Sequence, residues 1–193
     1  MSYVAGVYTN AGQFDSLDLG TIWNTLTGGG TSTLGLKVGG FTKVAVIPIT
    51  TTNGTAYAVG DNIGGILSIA NAVRNTAGTG FICDLQIVDI NNQRPTLEID
   101  FFTSSPTGTY TNDTAQSFAT ADALLYLGKI NVATADFTSQ SGGSLLVGIA
   151  SKTLQNIPFV CAAATLFFTI RTTTVVTYSS TQSLIVKVGI SQD

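Results

Sequence analysis

The sequence predicts an all-β protein: an antiparallel β-sandwich, of the jelly-roll kind, with one short helix and an extended N-terminal arm. Three observations point there. Runs rich in Val, Ile, Phe and Thr recur from residue 41 to the end, some with clean period-two alternation. Turn signals built on Gly, Asn and Pro separate them, every 8 to 15 residues. Helical spacing is convincing at one place alone, too few helices for a parallel sheet wound through βαβ units.

Taken in order, residues 1–40 have few β-branched apolar runs and a glycine-rich stretch, GGGTSTLGLKVGG. Their apolar residues, among them Phe14, Leu17, Ile22 and Trp23, follow neither the helical nor the strand period. This segment reads as an assembly arm or connector, and residues 41–193 as the sandwich. KVAVIPIT opens the strands, and Asn53-Gly54 supplies a hairpin-type turn. In YAVGDNIGG, Gly60, Gly64 and Gly65 permit positive φ and Asp61 can bond its following backbone, so the segment reads as a tight structural corner.

ILSIANAVRN reads as a strand because glycines flank it. FICDLQIVDI alternates, with Ile82, Asp84, Gln86 and Val88 on one side and Phe81, Cys83, Leu85, Ile87 and Asp89 on the other. TLEIDFF turns Leu97, Ile99 and Phe101 inward and Glu98 and Asp100 outward. SSPTGTYTND is a loop by composition. TADALLYLGK is the helix candidate: Thr120 or Asp122 caps it, Leu124, Leu125 and Leu127 form its apolar side, and Gly128 ends it. SLLVGIA, VCAAATLFFTIRTTTVVTY and SLIVKVGI return to strands.

Composition narrows the chemistry. Of 193 residues 10% are charged, against about 25% in an ordinary soluble domain. The 30 threonines outnumber the 19 charged residues, and the mean hydropathy is +0.36. There is no histidine, which removes the ordinary proton shuttle near neutral pH, the His-dependent triads and His-ligated metals. Eight scattered basic residues against 11 acidic ones give no footprint for nucleic acid or an anionic membrane. The longest apolar stretch, residues 157–168, is too short to span a bilayer, and MSYVAGVYTN lacks the pattern of a secretion signal. Cys83 and Cys161 sit in apolar runs and read as buried free thiols of a chain made in a reducing cytoplasm.

Outward positions filled by Thr, Ser, Asn, Gln and Gly hydrogen-bond without long-range repulsion. Such a surface packs readily against copies of itself or a partner, and assembly follows as the expected behaviour. Binding energy then comes from apolar burial and main-chain hydrogen bonds rather than charge pairing.

YAVGDNIGG, the IVD of Ile87–Asp89, IDFFTSSP and the closing VKVGISQD follow one another in an order that resembles virion structural proteins of tailed bacteriophages, over about residues 40–193. The resemblance implies a non-enzymatic β-sandwich module of the particle, a capsid-associated or decoration-type protein found in the virion. It also implies a homo-oligomer, typically a trimer, docked on other virion proteins such as the major capsid protein.

Asp61 and Asn62 offer one carboxylate, where Ca²⁺ takes 6 to 8 oxygens, and no metal or other cofactor is expected. Glu98 and Asp100 share a strand face at a separation a glycosidase could use, yet any solvated strand looks the same. No Ser lies in a nucleophile elbow, so no enzyme is expected. Tyr110, Asn112 and Asp113 form a candidate ligand patch for the competing reading, a receptor- or carbohydrate-binding sandwich at a tail or fibre.

Overall fold

The computed structural model describes residues 41–142 and 145–192. The arm predicted over residues 1–40, with Phe14, Leu17, Ile22 and Trp23, lies outside the described residues. Eleven strands occur among the described residues, in chain order β1 (Phe41–Ile49), β2 (Ala56–Tyr57), β3 (Leu67–Ala70), β4 (Thr79–Asp89), β5 (Leu97–Phe102), β6 (Tyr126–Val132), β7 (Phe137–Gly142), β8 (Leu145–Val160), β9 (Thr165–Thr172), β10 (Val176–Thr177) and β11 (Leu184–Gln192). One sheet has the order β1-β11-β4-β8-β7, a second the order β3-β9-β5-β6, and β2 and β10 form a two-residue ribbon.

Setting aside β2, β10 and the edge strand β7, eight strands remain, and their partners are nested. The first pairs with the last (β1 with β11), the second with the seventh (β3 with β9), the third with the sixth (β4 with β8), and the fourth with the fifth (β5 with β6). All four pairings are antiparallel. That is an antiparallel ribbon rolled across two sheets, the jelly-roll topology.

The core lies between the sheets, where inward positions alternate along each strand. Ile49, Leu85, Ile87, Val186 and Val188 come from the five-stranded sheet, and Leu97, Ile99, Phe101, Phe168 and Ile170 from the four-stranded one. Leu97, Ile99 and Phe101 are inward as the alternation required. The sides of β4 differ from the expectation. Both its pairings shift register around Cys83, a β-bulge that leaves one residue unpaired. Ile82 therefore joins Leu85, Ile87 and Asp89 on the buried side, and Phe81, Asp84, Gln86 and Val88 face outward. The same bulge leaves Cys83 half-buried, whereas Cys161 is buried; both are free thiols.

The predicted helix is replaced by a 3₁₀ turn, Thr120–Leu124, and Leu127 and Gly128 belong to β6. Residues 126–132 pair antiparallel with β5, with a bulge at Leu127, and ladder bonds plus burial outweigh the propensity of three leucines. Among the described residues no α-helix occurs.

At the GDNIGG corner, Gly60, Gly64 and Gly65 take φ values of +97°, +85° and +79°. The Asp61 carboxylate accepts the Ala58 N–H at 2.7 Å, behind it in the chain rather than ahead as expected. A Cβ on Gly64 would lie 2.5 Å from Ile49 Cγ2, whereas one on Gly60 meets nothing within 4 Å. Gly64→Ala is therefore expected to cost about 2–3 kcal/mol, and Gly60→Ala, which carries the φ cost alone, about 1. Urea unfolding of both variants checks the difference; equal losses would place the cost in φ alone.

Candidate functional site

Two motifs separated by about fifty residues form one unit. The Asn112 carboxamide oxygen accepts the Gly64 N–H at 2.7 Å and the Tyr57 hydroxyl at 2.9 Å. Asn62 is fully buried; its side-chain oxygen accepts the Gly65 N–H at 2.8 Å. Backbone bonds from Asp113 N–H to the Asn62 carbonyl and from Gln116 N–H to the Gly60 carbonyl, both 2.9 Å, complete the junction. The corner thus anchors the long connection of residues 103–125 that joins β5 to β6.

That connection crosses the outward side of the four-stranded sheet. Gln116 donates to Asp100 Oδ2 at 3.0 Å, and the Tyr126 hydroxyl donates to Asp100 Oδ1 at 3.2 Å. Asp100, expected to face solvent, is consequently buried. Glu98 is shared by Lys129, at 2.8 Å, and Arg171. Burial opposes its charge, but the two cations outweigh it and hold its carboxyl below the usual range. Both carboxylates of the paired-acid pattern are thus engaged as acceptors of structural bonds.

Asp122, foreseen as a helix cap, organises the whole connection. Its carboxylate accepts Thr107 N–H at 2.6 Å, Thr107 Oγ1–H at 3.0 Å, Gly108 N–H at 3.0 Å, Tyr110 O–H at 2.9 Å and Ala119 N–H at 3.2 Å. Burial works against the charge, yet these donors prevail and bring its pKa down to about 2. Tyr110 is correspondingly buried. This corrects the predicted ligand patch: its aromatic ring is inside, Asn112 is spent on the corner, and Asp113 is half-buried at φ +59°. The exposed aromatics lie nearby instead. Phe118 and Tyr126 meet edge-on at 5.6 Å over Phe102, beside Leu124, which is 92% exposed. Sequence reading missed them because Tyr126 stood inside the helix candidate and Phe118 fell between that helix and the preceding loop.

The outward side of the five-stranded sheet is the other conspicuous surface. Register places Pro48, Ile185, Val88 and Ile149 in one row across β1, β11, β4 and β8. The next row is Val46, Lys187, Gln86 and Ser151, and beyond it Val44, Gly189 and Asp84. Val44 and Val46 are 62% and 58% exposed, and Lys187 and Asp84 are the charged residues in these rows. The signal was present in FTKVAVIPI, which is apolar on both strand faces rather than one. A concavity of about 450 Å³ lies at the end of this sheet, lined by Phe81, Leu127, Pro158, Phe159 and Val160 among others.

Among the described residues no cluster of three or more His, Cys, Asp or Glu could hold a metal ion, and no helix is long and apolar enough to cross a membrane. Together the rolled ribbon and the sparsely charged sheet face define a jelly-roll domain with a surface suited to packing. No family model matches the chain, and no curated protein matches it. Among solved structures it is similar to a chain of the Triatoma virus structure, at 12% identity and a TM-score of 0.26. That match takes in 78% of this chain and 62% of the other, so the chain spans less than two thirds of that neighbour's length. The ground for the fold is the nested strand pairing itself.

Proposed function

We propose that this chain is a structural protein of a virus particle, a jelly-roll subunit that assembles with copies of itself and docks on the shell. In its finer form the reading is a capsid-associated or decoration-type component of a tailed-bacteriophage virion, with no enzymatic role, partnered by the major capsid protein. The observation that carries it is the outward side of the five-stranded sheet, where valines stand in the open among few charges. A solitary soluble domain places charge at such positions. Jelly rolls serve both in viral capsids and in lectins, so topology alone does not choose between them.

The test is recovery of the chain with purified particles in fixed stoichiometry, retained through a wash at about 0.5 M salt, because apolar contacts are not screened. Release by that wash, or a chain found free of particles and single at high concentration, overturns the reading. The tail- or fibre-associated carbohydrate-binding alternative rests on the exposed aromatic pair Phe118 and Tyr126. Selective binding on a glycan array that is lost in Tyr126→Ala favours it over shell docking.

A further inference from the structure

We propose that the outward side of the five-stranded sheet is a self-recognition surface, on which a second copy of this chain packs face to face about a twofold axis. The inference rests on the assembly reading above and names the surface that would carry it.

Size, charge and the strand edges lead to a second copy as the occupant. Five strands spaced by about 4.8 Å, along a nine-residue β1 rising about 3.3 Å per residue, present roughly 24 by 30 Å, or about 700 Å². A stable interface takes about 800 Å² from each partner, so this face is nearly sufficient alone. Its charges are self-complementary. Lys187 and Asp84 occupy neighbouring rows on adjacent strands β11 and β4, one of each sign. A twofold axis through the face brings Lys187 of one copy toward Asp84 of the other, and the reverse, which is the reciprocal arrangement of an isologous contact.

Edge pairing, the other way for sheets to associate, is disfavoured here. β1 is an edge strand and contains Pro48. β8 runs beyond the reach of β7, which pairs only with Leu145–Ala150, and its protruding stretch contains Pro158. Proline on an edge strand removes a ladder donor and blunts strand addition. Strand addition is therefore blunted along β1 and along the free end of β8, which leaves the face as the larger continuous surface for assembly. A ring of copies made through other surfaces is compatible with this contact.

The experiment is sedimentation of the full chain and its variants at micromolar concentration. Val46→Lys sits at an exposed position and is expected to keep the fold, which circular dichroism checks; Val88→Lys, nearer the centre of the face, provides a second disruption. Each is expected to raise the dissociation constant of the pair at least about tenfold. Lys187→Glu and Asp84→Lys are each expected to weaken it about threefold, and the double reversal to recover the loss, which a merely structural effect would not do. Self-association unchanged in Val46→Lys and Val88→Lys, or no rescue by the double reversal, overturns the face assignment. The particle reading stands or falls separately: a chain recovered with particles while the face variants still self-associate sinks only this inference. A chain that pairs through this face and is never recovered with particles sinks only that reading.

Discussion

Replacing Asp122 with alanine is expected to lower stability by about 3–5 kcal/mol, one of the largest losses available to a single substitution here. Five donors converge on this carboxylate, three of them backbone N–H groups fixed by the connection they belong to. Removing the acceptor leaves them unsatisfied in a buried place, and hydrogen bonds to a charged group are the strong kind. Asp122→Asn keeps the shape and one acceptor oxygen but turns an amide toward donors, and about half the loss is expected. Urea unfolding measures both; a loss under about 1 kcal/mol in the alanine variant would show that water replaces the carboxylate freely.

The same group makes stability depend on acid. Its folded pKa, about 2, lies below the unfolded value of about 3.9, so its contribution is complete above about pH 4 and is lost as pH falls from there through 2. Asp89 acts in the opposite sense. Burial raises its pKa despite bonds from Arg94 and Asn91, and protonation relieves that cost as pH falls. The two overlap in wild type, so the informative measurement is the difference between wild type and Asp122→Asn, which should shrink toward pH 2. A difference that stays constant from pH 5 to 2 contradicts this account.

The second large effect is in the core. Phe101 and Phe168, from neighbouring strands β5 and β9, are fully buried with ring centroids 5.7 Å apart and planes at 28°. Phe101→Ala is expected to cost about 3–5 kcal/mol through lost transfer energy and the cavity left behind. Phe168→Ala should do the same, and the double variant should fall short of the sum by about 0.5–1.5 kcal/mol, because the stacked pair is lost only once. Strict additivity in denaturant unfolding would indicate that the rings touch without favourable stacking.

Much of the candidate site was hidden from linear reading for identifiable reasons. The GDNIGG corner was legible because positive φ is a local demand that glycine alone meets cheaply. Its partner was not: Asn112 looked like a ligand-binding amide in a polar loop, and only its bonds to Gly64 and Tyr57 show it to be a brace. Asp122 looked like a cap because aspartate before an apolar run ordinarily is one. It does accept the Ala119 N–H at the start of the 3₁₀ turn, as a capping residue would, but its other donors at Thr107, Gly108 and Tyr110 lie 12 to 15 residues upstream, a separation for which no local pattern exists.

From residues alone, then, came the all-β class, the inward placement of Leu97, Ile99 and Phe101, the structural glycines and the poverty of charge. Each is a consequence of side-chain period, backbone sterics or composition, which act within a few residues. Tertiary structure decided which strand lies beside which, the bulge at Cys83 that reverses the faces of β4, and the conversion of a helix candidate into a 3₁₀ turn and the start of β6. It also decided the alignment of Pro48, Ile185, Val88 and Ile149 into one row. Those are outcomes of pairing between segments as much as about 150 residues apart, where the free energy belongs to the pair and neither segment alone records it.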